Sequence, residues 1–261
     1  MAVWQGKWAL VTGASAGIGW ELASQLAAGG ANLVLTARRT DRLTELANQL
    51  RENHKIQTEV FSADLAQPNA PDEIFGFTES KNLSIQGLIN NACFGAYGHF
   101  YKNDRQRYLN MVQVNVAAVV NLTHLYLAGM VARRSGYIMI VASTAAFQAV
   151  PYISTYAATK AFDLLFAEGL AEEVRRHGVH VCALCPGSTE SEFLEAANQP
   201  GHKSGAPETA EKVAHVGLEA LAAGKSRVIS GTRNWLGVEA QRLAPHNLVT
   251  RVAGRMFAPK D

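Results

Sequence analysis

Near the amino end, a short apolar run over residues 7–12 (Lys-Trp-Ala-Leu-Val-Thr) is followed at once by Gly13-Ala14-Ser15-Ala16-Gly17-Ile18-Gly19, then by a helical pattern over residues 20–28. This succession of strand, glycine loop and helix constrains the chain more than any other stretch. Glycines allow a tight turn and a close approach of backbone to a bound group. The start of the helix offers N–H groups without partners and a partial positive charge, which suits a pyrophosphate. The spacing is G-x-x-x-G-x-G rather than G-x-G-x-x-G. A glycine-rich turn alone is more often a structural device; the strand before it and the helix after it are what point to a dinucleotide.

The rest of the chain repeats the alternation. Residues 32–36 read as a second strand ending in Ala37-Arg38-Arg39. At this strand end a dinucleotide fold meets the adenosine ribose, and an acidic residue would hold its free hydroxyls. Two arginines stand there instead, and guanidinium forks suit a ribose 2′-phosphate, which favours NADP(H) over NAD(H). A helix over 40–51 and a strand over 57–62 lead to Ala63-Asp64-Leu65, where Asp64 is placed either to meet an adenine amine or to cap a helix. A helix over 68–80 and a strand over 87–89 lead to Asn90-Asn91-Ala92-Cys93. A loop over 95–101, rich in glycine and aromatics, then borders the expected crevice. Residues 104–134 read as a long helix with Asn115 inside its apolar face; taken alone, that amide is a core asparagine with its hydrogen bonds satisfied.

A strand over 136–142 ends at Ser143, and a helix beginning near Tyr156 runs to about residue 177. A sixth strand over 180–184 ends in Cys185-Pro186-Gly187, residues 198–206 read as a flap, and a helix over 207–223 precedes a strand over 227–230. Strands and helices alternate throughout. The fold class expected is therefore α/β, a Rossmann-like doubly wound parallel sheet of about seven strands with helices on both faces. It forms one domain over 1–232, with a basic helical extension over 233–261 that docks on the domain or at a subunit interface rather than on a membrane. Ligands of such sheets sit at the carboxyl ends of the strands, where the glycine loop, Arg38, Asp64, Asn91, Ser143 and Pro186-Gly187 all fall.

Tyr156 and Lys160 lie one helical turn apart. A phenol loses its proton near pH ~10, and a neighbouring ammonium lowers that value, so the pair can pass a proton to or from an alcohol or carbonyl oxygen. His177-x-x-His180-x-Cys182-x-x-Cys185 invites a metal, but two cysteines three apart on a strand point to opposite faces, so no metal site is expected. The formal charge of +2 gives no field for nucleic acid, and no run of eighteen apolar residues marks a membrane span. Without a secretory signal or a disulfide framework among Cys93, Cys182 and Cys185, a reducing cytoplasm is expected.

Thr12-Gly13-x-x-x-Gly17-Ile18-Gly19, Asn90-Asn91-Ala92, Asn115, Ser143, Tyr156-x-x-x-Lys160 and Pro186-Gly187 together resemble the short-chain dehydrogenase/reductases, in order and spacing, from Thr12 to Gly187. Residues 90–100, 143–152 and 183–187 resemble a branch similar to keto-steroid and keto-acyl reductases. The resemblance implies an oxidoreductase acting on a carbonyl or secondary alcohol, with Tyr156 as general acid, Lys160 as its tuner and ribose holder, and Ser143 orienting the substrate oxygen. It moves Asn115 from a core residue to one that positions a water behind Lys160, and it puts Thr189 at the nicotinamide carboxamide. It implies cofactor contacts from Gly13, Ser15, Gly17, Ile18, Gly19, Arg38, Arg39, Asp64, Leu65, Asn91, Ala92, Pro186 and Gly187. The substrate wall is expected from Phe94, Phe147 and Tyr152, with Tyr97, Phe100 and the flap over 190–206, for a hydrophobic small molecule. The family packs as dimers or tetramers, which implies pairing through helices 104–134 and 152–177. Cys93 stands where the family usually has glycine. The non-enzymatic alternative is an NADPH-binding sensor or scaffold, which would have no need of Asn115, Ser143, Tyr156 and Lys160 together.

Overall fold

Strand β1 (Trp8–Thr12) is buried over its last four residues, and strand β6 (Val179–Cys185) over all but His180. Strands buried on both faces belong inside a parallel sheet that helices cover from above and below. The computed structural model, which describes residues 2–199 and 206–259, has that arrangement. Its strands β1, β2 (Asn32–Ala37), β3 (Thr58–Ser62), β4 (Ile85–Asn90), β5 (Gly136–Val141), β6 and β7 (Arg227–Ile229) form one parallel sheet in the order β3-β2-β1-β4-β5-β6-β7.

Alternation along each strand splits the core in two. Ala9, Val11, Leu33, Leu35, Met139, Cys182 and Leu184 face helices α1 (Gly17–Ala28), α2 (Thr40–His54) and α8 (Ala210–Ala222) through Leu22, Leu26, Leu43, Leu46 and Val213. Leu10, Val34, Leu88, Ile138, Ile140, Val181 and Cys185 face α3 (Ala70–Ser80), α5 (Ala118–Ala132) and α6 (Ser154–Val174) through Ile74, Leu122, Tyr126 and Leu164. Cys182 and Cys185 thus lie on opposite faces of β6, as their spacing requires. From β1 the chain builds outward in one direction to β2 and β3, and from β4 in the other. The crevice between the carboxyl ends of β1 and β4 is the switch point where ligands of such sheets sit.

The element ends differ from the sequence expectations for local reasons. The helix expected from 207 begins at Ala210, because Thr209 caps it by accepting from the Lys212 N–H (3.3 Å), and Glu208 pairs with Thr189 in an isolated bridge. The long helix expected over 104–134 is α4 (Arg105–Val112), a π-type turn (Gln113–Ala117) and α5. Nothing in its apolar pattern announces the turn, which carries Asn115. The whole stretch Arg105–Ala132 is long and apolar enough to cross a membrane by length and composition, although the sequence shows no unbroken apolar run. Here its second half, α5, packs against β4 and β5, and its first half, α4, against α6. A one-turn helix α7 (Phe193–Ala196) begins the expected flap, of which residues 200–205 lie outside the described residues.

The tail forms two helices, α9 (Thr232–Gln241) and α10 (His246–Phe257), with Pro245 between them. Asn234 fastens α9 to the Ser230 carbonyl (2.7 Å), Ala253 of α10 is buried among Tyr108, Met111 and Ile153, and the Phe257 carbonyl accepts from the Tyr97 hydroxyl (3.0 Å). Lys260 lies outside the described residues.

Two glycines in helices give opposite expectations. A Cβ on Gly19 would collide with the Gly13 carbonyl oxygen and the Asn91 amide, neither of which is free to move aside, whereas one on Gly76 would meet nothing within 4 Å. Gly19→Ala should lower stability by about 1–3 kcal/mol, the range for overpacking. Gly76→Ala, on the exposed side of α3, should raise it by about 0.5–1 kcal/mol. Thermal unfolding of the two variants beside the parent protein checks both signs.

Candidate active site

The glycine loop is held open from below. Thr12, at the end of β1, donates its hydroxyl to the Ile89 carbonyl (3.2 Å) and accepts from the backbone N–H groups of Asn91 (2.9 Å) and Ala92 (3.0 Å). The Asn91 amide donates back to the carbonyls of Thr12 (2.9 Å) and Gly13 (3.3 Å). Gly13 and Gly17 turn the chain at φ +65° and +55°, and a Cβ on Gly13 would sit 2.8 Å from the Asn91 amide nitrogen. Ala16 stands at the cap position of α1 and has no side chain to satisfy the first N–H groups. Bare backbone therefore faces the crevice, with the positive end of α1 behind it.

That crevice is a cavity of 790 Å³. Gly13, Ser15, Gly17, Ile18, Arg38, Arg39, Asp64, Leu65, Asn91, Ala92, Pro186, Gly187 and Thr189 all line it, as do Cys93, Phe94, Ser143 and Tyr156. Arg38 is exposed at its rim, while Arg39 folds back to donate to Ser15 Oγ from Nε (3.2 Å) and Nη2 (3.1 Å). Asp64 lines the cavity and turns the chain by accepting from the Ala66 N–H (3.1 Å); it is not a helix cap, because α3 begins at Ala70 with Asn69 before it. Gly19 supports the loop from beneath and is not on the wall.

The polar cluster sits deeper. Ser143, at the end of β5, opens a short 3₁₀ turn and accepts from the Ala145 N–H (3.1 Å). Tyr156, in the first turns of α6, reaches the wall with 8% of its surface exposed, its ring 5.0 Å from that of Phe193. Lys160 is fully buried one turn on, and its ammonium donates to the Val141 carbonyl (2.7 Å) and to Asp163 Oδ2 (3.1 Å). Asn115 is also fully buried; its amide donates to the Phe94 carbonyl and to Thr159 Oγ1, both at 3.1 Å, and its oxygen accepts from the Phe94 N–H (3.2 Å). With both donors taken, the side chain ties the loop after β4 to α6. Asn115 sits in the π-type turn, where the regular i→i−4 ladder is broken.

Burial pushes the Tyr156 phenol well above its ordinary value, Cys93 adds to the rise, and Lys160 with the Ser143 hydrogen bond pulls it partly back. Burial works against the Lys160 ammonium, but Cys93, Asp163 and Tyr156 outweigh it, and the lysine is held charged. Burial pushes Asp163 up to about 6, against the pull of Lys160.

The expected substrate wall needs correction. Ser143 and Phe94 line the cavity, but Phe147 and Tyr152 do not. Phe147 packs against the core beside α6. Tyr152, held at φ +68°, edges the His99 ring in a separate small hollow. Tyr97 and Phe100 are likewise off the wall; Phe100 is 66% exposed. Ile153, Phe193, Leu194, Met256 and Phe257 stand in their place. Two polar residues escaped the sequence reading. Asp163 was visible only as an acid three residues after Lys160 on the same helix face, and Glu192 carried no local signal.

Residues 7–201 match the family model described as short chain dehydrogenase. The chain belongs to the short-chain dehydrogenase/reductase family. It is 32% identical over 200 residues to a 7β-hydroxysteroid dehydrogenase of Collinsella aerofaciens, covering 77% of this chain and 75% of that one. It is 31% identical over 243 residues to a human very-long-chain 3-oxoacyl-CoA reductase, covering 88% and 77%. Among solved structures, one from a study of 7β-hydroxysteroid dehydrogenase stereoselectivity superposes with a TM-score of 0.88 at 29% identity, over 97% of this chain and 98% of the other. A short-chain dehydrogenase from Sphingobium yanoikuyae in complex with NADPH gives 0.82 at 27%, over 91% and 94%. The protein is an oxidoreductase of this family, acting on CH–OH donors.

Asp163 carries a pH signature. Its acidity is weaker folded than unfolded, so the folded chain binds the extra proton between the ordinary carboxylate range and about 6. Stability from this group falls as pH rises through that window. Measured by denaturant unfolding, the parent protein should lose stability relative to Asp163→Asn from pH 4 to pH 6 and run parallel to it above. Asp163→Leu, which strands the buried ammonium, should cost about 3–5 kcal/mol at neutral pH.

Proposed function

We propose that the protein is an NADP(H)-dependent oxidoreductase that interconverts a carbonyl and a secondary alcohol on a hydrophobic substrate, with Tyr156 as the general acid/base. The observation that carries this reading is the phenol of Tyr156 on the cavity wall beside Ser143, with the Lys160 ammonium buried behind it. The glycine loop fits a dinucleotide, because it brings bare backbone to the cavity wall at positions 13 and 17, where side chains would collide with Asn91 and Ser191. Bound there, the nicotinamide would supply or take up a hydride.

The chain's own residues supply the rest. The N–H groups at the start of α1 hold the pyrophosphate, and Arg38 with Arg39 meets a ribose 2′-phosphate. Ser143 orients the substrate oxygen, and Tyr156 delivers a proton to it in reduction. A phenol kept protonated by burial suits an acid, and Lys160 steadies the phenolate left after transfer. Phe94, Ile153, Phe193, Leu194, Met256 and Phe257 make the substrate side apolar. The bulky substrates in the names of the relatives, a hydroxysteroid and a very-long-chain 3-oxoacyl thioester, agree with such a wall. Exposed Leu109, Val112, Val120, Phe162 and Leu165 on α4, α5 and α6 support pairing of subunits through these helices.

Tyr156→Phe should lower turnover of a ketone panel, followed by NADPH absorbance, by at least about 10²-fold, while NADPH still binds in a fluorescence titration. A variant that keeps its rate removes Tyr156 from the mechanism, and a parent protein without turnover on any ketone, aldehyde or alcohol favours a sensor. The parent protein should bind NADPH more tightly than NADH, and Arg38→Asp should reverse that order.

A further inference from the structure

The rim of the adenosine end of the cavity holds an acid where none was expected. Glu192, from the segment after β6, accepts from Arg39 Nη1 on one carboxylate oxygen and from Arg42 Nη1 on the other, each at 2.7 Å. Arg39 and Glu192 both line the cavity, and Arg39 is the side chain that also grips Ser15 of the glycine loop. A carboxylate between two guanidinium groups takes up the donors that a phosphate monoester would use, and with similar geometry.

This contact is the middle anchor of a segment held at one end by the bridge of Thr189 with Glu208 and at the other by Arg107 and Tyr97. Ser191, next to Glu192, lies on the glycine loop, so that a Cβ on Gly17 would be 3.0 Å from the Ser191 Cβ. Phe193, on the other side, has its ring 5.0 Å from that of Tyr156 and would be 2.9 Å from a Cβ on Gly95. Further along, Arg107 donates to the Ala196 and Gly95 carbonyls, and the Tyr97 N–H donates to Ala197 (3.2 Å). The segment thus runs from the arginines, across the place of the pyrophosphate, to the tyrosine.

We propose that Glu192 is a latch standing in for a cofactor 2′-phosphate: a 2′-phosphorylated adenine nucleotide displaces it from Arg39 and Arg42 and loosens residues 191–195 around it, and the unphosphorylated nucleotide does not. This rests on the NADP(H) reading above. The exchange is feasible because the two ion pairs are half-exposed, with side-chain exposures of 40% and 44% for the arginines and 45% for the glutamate, and pairs of that kind are weak. A phosphate monoester carries about 1.5–2 negative charges against one on a carboxylate, so it wins the guanidinium groups and repels Glu192. Glu192 accordingly sets specificity in two ways. It opposes binding of the phosphorylated nucleotide, and it ties loosening of these residues beside Tyr156 to the presence of the 2′-phosphate.

The test uses the full chain and two probes that lack nicotinamide, 2′,5′-ADP and 5′-ADP, by calorimetric titration of the parent protein and Glu192→Gln. Removing the carboxylate should tighten 2′,5′-ADP by about five- to tenfold, the sum of two exposed pairs, and leave 5′-ADP within about twofold. In hydrogen exchange, amides of 191–195 should exchange faster in Glu192→Gln, and in parent protein saturated with 2′,5′-ADP, than in parent protein alone or with 5′-ADP. Equal tightening of both probes, no change, or weaker binding of 2′,5′-ADP overturns the latch, since a merely structural role would move both probes together. A parent protein that binds the two probes equally overturns the cofactor preference itself, and the latch with it.

Discussion

The hydroxyl of Thr12 and the amide of Asn91 clasp the carboxyl ends of β1 and β4, and the whole site hangs on that clasp. These strands are neighbours in the sheet although β2 and β3 lie between them in sequence. Here the chain reverses the direction in which it builds the sheet, so the helices that follow the two strands diverge and leave a crevice. The clasp satisfies backbone groups that would otherwise be unpaired at the strand ends. It also holds Asn91 against Gly13 and Gly19, so these positions accept nothing larger than hydrogen. Bare backbone at the start of α1 follows from this packing.

The Tyr156 side of the crevice is built on a second set of buried polar contacts. The Lys160 ammonium is fixed by a carbonyl of β5 and by Asp163, and Asn115 joins the loop at Phe94 to Thr159 of α6. A charge withdrawn from water needs such partners, and their geometry leaves the lysine little freedom. The tyrosine above it is pulled in two directions: burial favours the phenol, and the ammonium favours the phenolate. Burial prevails, so the phenol keeps its proton.

Much of this was legible in the linear sequence. The order of strands and helices, the glycine loop, Ser143, Tyr156 and Lys160 could be read because each depends on local pattern: buried runs for strands, spacing for helix faces, glycine for turns. The meeting of the glycine loop, Ser143 and Tyr156 in one cavity, with Lys160 buried behind them, followed from the rule that ligands gather at strand ends. The errors lie where side-chain direction, not strand order, decides. Phe147 and Tyr152 are close to Ser143 and Tyr156 in sequence, yet a 3₁₀ turn and a left-handed residue send them elsewhere. Asn115, which taken alone reads as a core asparagine with its hydrogen bonds satisfied, is buried in that way and ties Phe94 to Thr159.

By itself the sequence determined the α/β class, the parallel sheet and the identity of the groups at its strand ends, because backbone periodicity and glycine stereochemistry act within a few residues. Only the tertiary structure decided what those groups touch. Asp163 became the counter-ion of Lys160 because burial leaves the ammonium few partners. Glu192 came to Arg39 and Arg42 from about 150 positions away in the chain, a distance over which no local rule operates. The apolar wall likewise drew Met256 and Phe257 from the tail, since closing a cavity depends on which surfaces meet once the sheet has formed.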